Sequence, residues 1–279
     1  MPISREKIIR ENLVSFGESH AIVIGIDSYE KINASLSTPI EDATRLGKML
    51  IEQQGYKPDH VHLLTDLTKK DFEALIADKD EKGKYNISTN DSFLFYYAGH
   101  GLAGEVDEHG DISEENQGSA GYIMPADVSF QNALIEENDT LVKMNDLFKV
   151  IHQLNCHHTL VILDCCFAGA FRHVSLTRSG SSVGFRPMSK VRFDTFLKKK
   201  AFQVLVSAGA DQKALDIIRK DRGQIEIEEI LENESKTRFH SPFAKALIDA
   251  LGGAKDVQVK PPGKFLGDGV ITTHELFLY

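Results

Sequence analysis

Two segments of the sequence each place reactive side chains directly after a short apolar run. His100 follows the run at 91–98, and the adjacent cysteines Cys165 and Cys166 follow the run at 160–164. Short runs that are apolar throughout are typical of buried parallel strands, and ligands bind at the carboxyl ends of such strands. An imidazole beside a thiol can take up its proton, and the thiolate is the nucleophile. If the two strands are neighbours, the sequence predicts a histidine and a cysteine paired for nucleophilic catalysis.

Strands and helices alternate around these segments. Apolar runs predict five strands, at 20–27, 61–65, 91–98, 160–164 and 201–207. Apolar residues at helical spacing predict helices at 39–50, 68–76, 144–154 and 243–251, and a short amphipathic helix at 3–16. Because strands that alternate with helices form parallel sheets with right-handed crossovers, we expect an α/β fold.

Two of the helices have sequence signals at their first turn. Thr38, Pro39 and Glu41 predict an N-cap, a first helical residue and a capping-box partner. Ser241 and Pro242 predict an N-cap and a first-turn proline for the helix at 243–251.

The composition excludes several classes of protein. With 279 residues, 42% of them apolar and 26% charged, the chain has enough apolar content for a large core. A formal net charge of -9 argues against nucleic acid as a partner. No run has the roughly 20 apolar residues of a membrane span, and the first residues lack the apolar region of a signal peptide. We therefore expect a cytoplasmic protein whose 3 cysteines stay reduced.

The two motifs together, one ending in His100-Gly101 and one in Asp164-Cys165-Cys166, resemble the caspase and metacaspase clan of cysteine peptidases. The resemblance extends over 20–279, and metacaspases and their bacterial relatives are the more similar branch. It implies a caspase-like three-layer α/β/α sandwich with a mostly parallel central sheet of about six strands.

The resemblance also implies roles for individual residues. Cys166 is the nucleophile, because Cys165 occupies the small-residue position of an Asp-x-Cys element. His100 is the general base and acid, and the backbone N–H groups of Gly101 and Cys166 bind the oxyanion. No cofactor is required for this reaction.

The same resemblance predicts which side chain precedes the cleaved bond. Asp164 and Asp42 match the positions that line the pocket for the P1 side chain, and Asp211 either lines the same pocket or holds a turn. Two carboxylates favour a guanidinium or an ammonium group, so we expect a protein or peptide substrate with Arg, or Lys, at P1. The alternative for Asp42 is a first-turn carboxylate favoured by the helix dipole.

The chain divides into four parts on this interpretation. An N-terminal extension (1–19) precedes a large-subunit-like catalytic part (20–171), a basic linker (172–200) and a small-subunit-like part (201–279). Because the last residues are apolar and helical in pattern, we expect that more chain follows in the natural protein. The linker sits where relatives are processed, and its candidate sites for self-cleavage are Arg172, Arg178, Arg186 and Lys200.

We expect no calcium requirement and no other metal site. Asp127 matches one residue of the metacaspase calcium site, but its neighbour is Val128 and a later acidic position falls near His173. Hard cations need several oxygen ligands. Asp107 and Asp111 keep a calcium site possible.

Two other functions fit parts of the pattern. One is a catalytically silent caspase-fold module that binds or regulates a partner. The other is a thiol redox protein that uses Cys165 and Cys166, although adjacent cysteines lack the Cys-x-x-Cys geometry. For the peptidase, the resemblance implies regulation by an attached domain or a partner, and a role in regulated cell death or antiviral defence.

Overall fold

The computed structural model describes residues 17–77, 87–103, 121–130, 139–166, 199–208, 240–253 and 276. In chain order, the strands are β1 (Ser19–Gly25), β2 (Val61–Thr65), β3 (Ser92–Ala98), β4 (Gly101–Ala103), β5 (Gly121–Ile123), β6 (Val142–Lys143), β7 (His158–Asp164) and β8 (Ala201–Val206). Within these residues, five strands form one sheet in the order β2-β1-β3-β7-β8, and all of its neighbouring strands are parallel. The predicted α/β fold with a mostly parallel sheet is confirmed.

Helices cover both faces of this sheet. They are α1 (Pro39–Glu52), α2 (Lys69–Ala77), α3 (Met144–Gln153) and α4 (Pro242–Leu251). Helices α1 and α4 pack on one face with a core that includes Leu46 and Leu247. Helices α2 and α3 pack on the other face with a core that includes Phe72 and Leu147. The result is a three-layer α/β/α sandwich, and the helices predicted from apolar spacing at these positions are confirmed.

A small antiparallel sheet of β4, β5 and β6 follows directly on the segment that carries His100. Gly101 opens β4, and the N–H of Met124 donates to the carbonyl oxygen of His100 at 3.1 Å. Strands of two or three residues are too short to show a hydropathy period, so the sequence did not predict this sheet. Its effect is to fix the chain immediately after His100.

The two predicted helix starts have different outcomes. The cap at α4 is confirmed, because Ser241 Oγ accepts the N–H of Ala244 at 3.0 Å. At α1, Thr38 is the N-cap residue and Pro39 is the first helical residue, as predicted, but the capping box is wrong, because Thr38 makes no side-chain cap bond. Instead, Asp27 Oδ1 accepts the N–H of Ile40 at 3.0 Å, so a carboxylate from the loop after β1 satisfies the first turn of α1.

Several sequence predictions concern residues outside the described ranges. They are the helix at 3–16, most of the loop at 103–120, the linker residues 172–198, Asp211 and almost all of the chain after 253. In the part of the chain that is described, no helix is long and apolar enough to cross a membrane.

Candidate active site

The register between β3 and β7 brings His100 and Cys166 to the same edge of the sheet. These strands are adjacent and parallel, and Ala98 lies opposite Asp164. The N–H of Gly99 continues the ladder by donating to the carbonyl oxygen of Asp164 at 3.2 Å. His100 and Cys166 each follow two residues after this last pair, so the predicted meeting of the two motifs is observed.

Gly101 packs directly against the cysteine pair. A Cβ atom on Gly101 would overlap the carbonyl oxygen of Cys166 and would lie 3.0 Å from Cys165 Sγ. Only a residue without a side chain therefore fits at this position. The close approach places the backbone after the histidine beside the backbone that carries Cys166, as the predicted oxyanion site requires.

The three cysteine side chains differ in how far they are buried. Cys165 is 1% exposed, and burial raises the pKa of its thiol well above the usual range. Cys156 is also buried, and burial raises the pKa of its thiol to about 11. Cys166 is partly exposed. A nucleophile must reach solvent and substrate, and of the two adjacent cysteines it is Cys166 that is partly exposed.

The imidazole of His100 is held by a residue from the loop after β1. Its Nε2 lies 2.7 Å from the carbonyl oxygen of Ala34. A carbonyl oxygen only accepts hydrogen bonds, so Nε2 carries a proton and Nδ1 is the basic nitrogen of the neutral ring. The ring also packs at a tilt against Tyr29, with 4.6 Å between the ring centroids.

Two buried tyrosines hold the backbone of His100 from both sides. The N–H of His100 donates to Tyr29 Oη at 2.8 Å, and Tyr97 Oη donates to the carbonyl oxygen of His100 at 2.8 Å. Gly99 has a φ of 154°, and a Cβ atom there would lie 2.7 Å from each hydroxyl oxygen. Sequence reasoning missed this arrangement. A usable signal was present, because a tyrosine in a buried strand needs a partner for its hydroxyl group.

The predicted specificity residues Asp42 and Asp164 also come together. Asp42 lies in the first turn of α1 and is 1% exposed, and Asp164 ends β7 and is 7% exposed. Ser241 bridges them: its Oγ donates to Asp164 Oδ2 at 2.6 Å, and its N–H donates to Asp42 Oδ2 at 3.2 Å. The structure thus joins two carboxylates, 122 positions apart in sequence, through the start of α4.

Asp42 has a second partner that the sequence did not predict. His240 Nδ1 lies 2.5 Å from Asp42 Oδ1. Burial raises the pKa of the Asp42 carboxyl above its ordinary value, and the hydrogen bonds from His240 and Ser241 act in the opposite direction. The cluster therefore brings two carboxyl groups together in a buried site, where a cation beside them would favour their charged forms.

Of the predicted processing sites, Lys200 lies in the described residues and Arg172, Arg178 and Arg186 do not. The side chain of Lys200 is exposed, and its Nζ donates to the carbonyl oxygen of Asn155 at 3.1 Å. The N–H of Ala201, which belongs to the bond after Lys200, donates to the carbonyl oxygen of His157 at 3.0 Å.

Asp127, the residue that matches the metacaspase calcium site, lies beside the start of α2. Asp127 Oδ1 accepts the N–H of Lys69 at 2.7 Å and so caps the start of α2. The neighbouring Val128 is fully buried and offers no side-chain oxygen. Among the described residues, no group of three or more histidine, cysteine, aspartate or glutamate side chains could hold a metal ion.

Comparison with known proteins gives a family match that covers most of the chain. A family model of the peptidase C14 caspase domain matches residues 18–260. Metacaspase-1 of Yarrowia lipolytica is 31% identical over 140 residues, which are 46% of this chain and 28% of that protein. Metacaspase-1 of Cryptococcus neoformans is 28% identical over 212 residues, which are 74% of this chain and 41% of that protein. The chain therefore spans less than half the length of these relatives.

Among solved structures, caspase-1 from Spodoptera frugiperda has a TM-score of 0.47 and 14% sequence identity, with 92% of this chain and 78% of that chain covered.

Proposed function

Because this chain belongs to the peptidase C14 caspase-domain family, we propose that it is a cysteine endopeptidase with Cys166 as nucleophile and His100 as general base and acid. The observation that carries the proposal is the register of β3 and β7, in which Ala98 lies opposite Asp164, so that His100 and Cys166 follow at the same level. The partial exposure of Cys166 and the burial of Cys165 support the choice between the two thiols.

In the first step, the Cys166 sulfur attacks the carbonyl carbon of the scissile bond while His100 takes up the thiol proton. Because Nε2 of His100 is bound to the Ala34 carbonyl, the proton goes to Nδ1. The N–H groups of Gly101 and Cys166 stabilise the negative charge that develops on the carbonyl oxygen. Donors on a fixed backbone need no reorganisation, and the close packing of Gly101 against Cys166 supplies that rigidity.

In the second step, the carbon–nitrogen bond breaks, the leaving amine takes the proton from His100 Nδ1, and a thioester to Cys166 remains. Water then attacks the thioester carbonyl, and His100 accepts a proton from that water. When the carbon–sulfur bond breaks, this proton returns to the sulfur and the free carboxylic acid product leaves. The tyrosines that hold the His100 backbone keep the ring in place through both steps.

We propose cleavage after Arg, or after Lys, because Asp42 and Asp164 form one buried carboxylate cluster beside the dyad. A basic P1 side chain entering this cluster would pair with the two carboxylates. An acidic P1 side chain would face like charges, which costs free energy. Asp211 remains a proposed third member of this pocket.

Self-processing in the linker is part of the same proposal, since 172–200 supplies basic residues. We assign the cleavage to Arg172, Arg178 or Arg186 in preference to Lys200. The N–H of Ala201, in the bond after Lys200, already donates a hydrogen bond at the start of β8. Intact mass of the incubated protein should show fragments that end at one of these arginines. Cys166→Ala should stay at full length, and a stable wild-type chain would contradict self-processing.

The biological role that fits an activated peptidase of this family is regulated cell death or defence, under the control of a further domain or a partner. A cytoplasmic location and independence from calcium belong to the same proposal. The fit of Asp127 as a helix cap supports the absence of a calcium site there.

The experiment that tests the function is a cleavage profile over a peptide library with every residue type at P1. Wild type should cleave after Arg and Lys, and Cys166→Ala and His100→Ala should cleave none of the peptides. Preferred cleavage after Asp would contradict the P1 assignment alone. A wild-type protein that folds, cleaves nothing and does not react with an arginine-directed covalent inhibitor would favour the silent module.

A further inference from the structure

Two buried hydroxyl groups at the carboxyl end of the sheet have no hydrogen-bond partner among the described residues. One is Tyr96 Oη, whose side chain is 0% exposed, and the other is Ser207 Oγ. A buried hydroxyl group without a partner costs free energy, and most buried polar atoms in proteins are hydrogen-bonded. These two groups therefore need an explanation.

Tyr96 lies on the same face of the sheet as Asp164. Tyr96, Ala98 and Ile162 all pack in the core between the sheet and helices α1 and α4. Side chains alternate along a strand, so Asp164, two residues after Ile162, projects from that face too. The charges of Asp164 and Asp42 both add to the effect of burial in raising the pKa of Tyr96, as expected for a hydroxyl group close to both carboxylates.

Ser207 reaches the same place from the neighbouring strand. Val206 at the end of β8 pairs with Leu163, and the N–H of Ser207 donates to the carbonyl oxygen of Leu163 at 3.0 Å. Ser207 is therefore level with Asp164, and it follows Leu205, which packs on the same face, by two residues. Two hydroxyl groups that have no partner among the described residues thus lie on either side of the strand that carries Asp164.

We propose that Tyr96 and Ser207 are specificity-determining residues of the P1 pocket, whose hydroxyl oxygens accept N–H groups of an arginine guanidinium held by Asp42 and Asp164. The inference rests on the proposed function. A guanidinium has five N–H donors in a planar fork, more than the ammonium group of lysine. The carboxylate oxygens already accept bonds from the start of α4, namely from His240 and from Ser241. Additional acceptors beside them favour Arg over Lys.

Tyr96→Phe should weaken binding of an arginine side chain without lowering the stability of the protein. If the hydroxyl group has no partner in the free protein, its removal leaves no group unsatisfied, and stability is unchanged or higher. Binding of an arginine side chain then loses one hydrogen bond to a charged donor. A tyrosine whose hydroxyl only supports the fold gives the reverse result, with lower stability and unchanged affinity.

The test measures peptide binding by calorimetry in the Cys166→Ala protein, so that no turnover occurs. Three peptides differ only at P1, which is Arg, Lys or norleucine. Adding Tyr96→Phe should weaken binding of the Arg peptide at least about tenfold and binding of the Lys peptide by less. It should not lower the Tm of the protein. Ser207→Ala should also weaken binding of the Arg peptide. Tyr56→Phe is the matched control: Tyr56 follows the far end of α1, a helix of 14 residues that is about 21 Å long.

Other results of this experiment would contradict either the role of Tyr96 or the basic P1 preference. An unchanged Arg affinity in Tyr96→Phe, or a lowered Tm with unchanged affinity, overturns the role of Tyr96 and leaves the basic P1 preference intact. Equal affinity for the Arg and norleucine peptides in the Cys166→Ala parent overturns the basic P1 preference itself, and the role of Tyr96 with it.

Discussion

The Nε2 atom of His100 lies 2.7 Å from the carbonyl oxygen of Ala34, a residue 66 positions earlier in the chain. This contact fixes the neutral imidazole in the tautomer with its proton on Nε2, which leaves Nδ1 to exchange protons. Since a backbone carbonyl orients the ring, the side chains around His100 need only hold its backbone and its ring plane. The two tyrosines Tyr29 and Tyr97 do so.

We predict that iodoacetamide alkylates one thiol of the folded protein quickly, and that this thiol is Cys166. Cys156 and Cys165 are buried, and burial raises the pKa of both thiols. Peptide mass mapping after short exposure identifies the site. Cys165→Ala should keep the fast reaction, and His100→Ala should slow it by about tenfold or more, since the imidazole no longer accepts the proton. Fast modification of Cys165 in the native state would contradict the assignment.

We predict that Tyr29→Phe lowers kcat and leaves KM nearly unchanged. The substitution leaves the N–H of His100 without its acceptor, and a buried unsatisfied donor costs about 1–3 kcal/mol. The loss affects the position of the general base and not the P1 pocket, so the ratio of Arg to Lys cleavage should stay the same. Steady-state kinetics with both peptides measure this. The control is again Tyr56→Phe, and a changed Arg to Lys ratio in Tyr29→Phe would rule out a pure positioning role.

We predict a pH-dependent stability difference between wild type and Asp42→Asn. Burial raises the pKa of Asp42 in the folded state above its ordinary value of 3.8. A raised folded pKa gives a stabilising contribution that is complete below 3.8 and is lost as pH rises through the folded pKa. Asn does not titrate. As pH rises through this range, the unfolding free energy of wild type should therefore fall relative to that of Asp42→Asn, and the difference should then level off.

Urea unfolding at a series of pH values measures this difference, with both proteins in a His240→Gln background so that this imidazole does not titrate. Asp59→Asn, at a side chain that is 79% exposed, is the surface control for the same substitution. A difference that moves in favour of the aspartate as pH rises would mean that the hydrogen bonds of Asp42 outweigh its burial. In the otherwise native protein, Asp42→Asn should also weaken cleavage after Arg.

We predict that chelation with EDTA leaves peptidase activity unchanged and that added calcium does not raise it. Asp127 caps α2, and its neighbour Val128 is buried and has no oxygen ligand. The rate of Arg-peptide cleavage with EDTA, and after calcium is restored in excess, gives the readout. A calcium-dependent rise in activity would show that ligands outside the described residues, such as Asp107 and Asp111, form a site.

Much of the fold could be predicted because most of its strands and helices depend on the residue types within their own segments. The strand at 61–65 was predicted with the observed bounds, and the helices α1 to α4 were predicted at their observed places from apolar spacing and first-turn signals. The small sheet β4-β5-β6 was missed because two or three residues carry no period. The N-cap position of Thr38 was predicted correctly, but the side chain that bonds the first turn of α1 was missed, because the carboxylate of Asp27 reaches the helix from across a loop.

The sequence by itself determined the apolar strands, the reactive residues at their ends and the resemblance that selects Cys166, His100, Asp42 and Asp164. Tertiary structure alone decided which polar groups meet: His240 with Asp42 across 198 positions, and Tyr29 with the backbone of His100 across 71 positions. The physical reason is that burial of a segment follows from residue type and local period. A hydrogen bond depends instead on the distance and angle between atoms that only packing brings together.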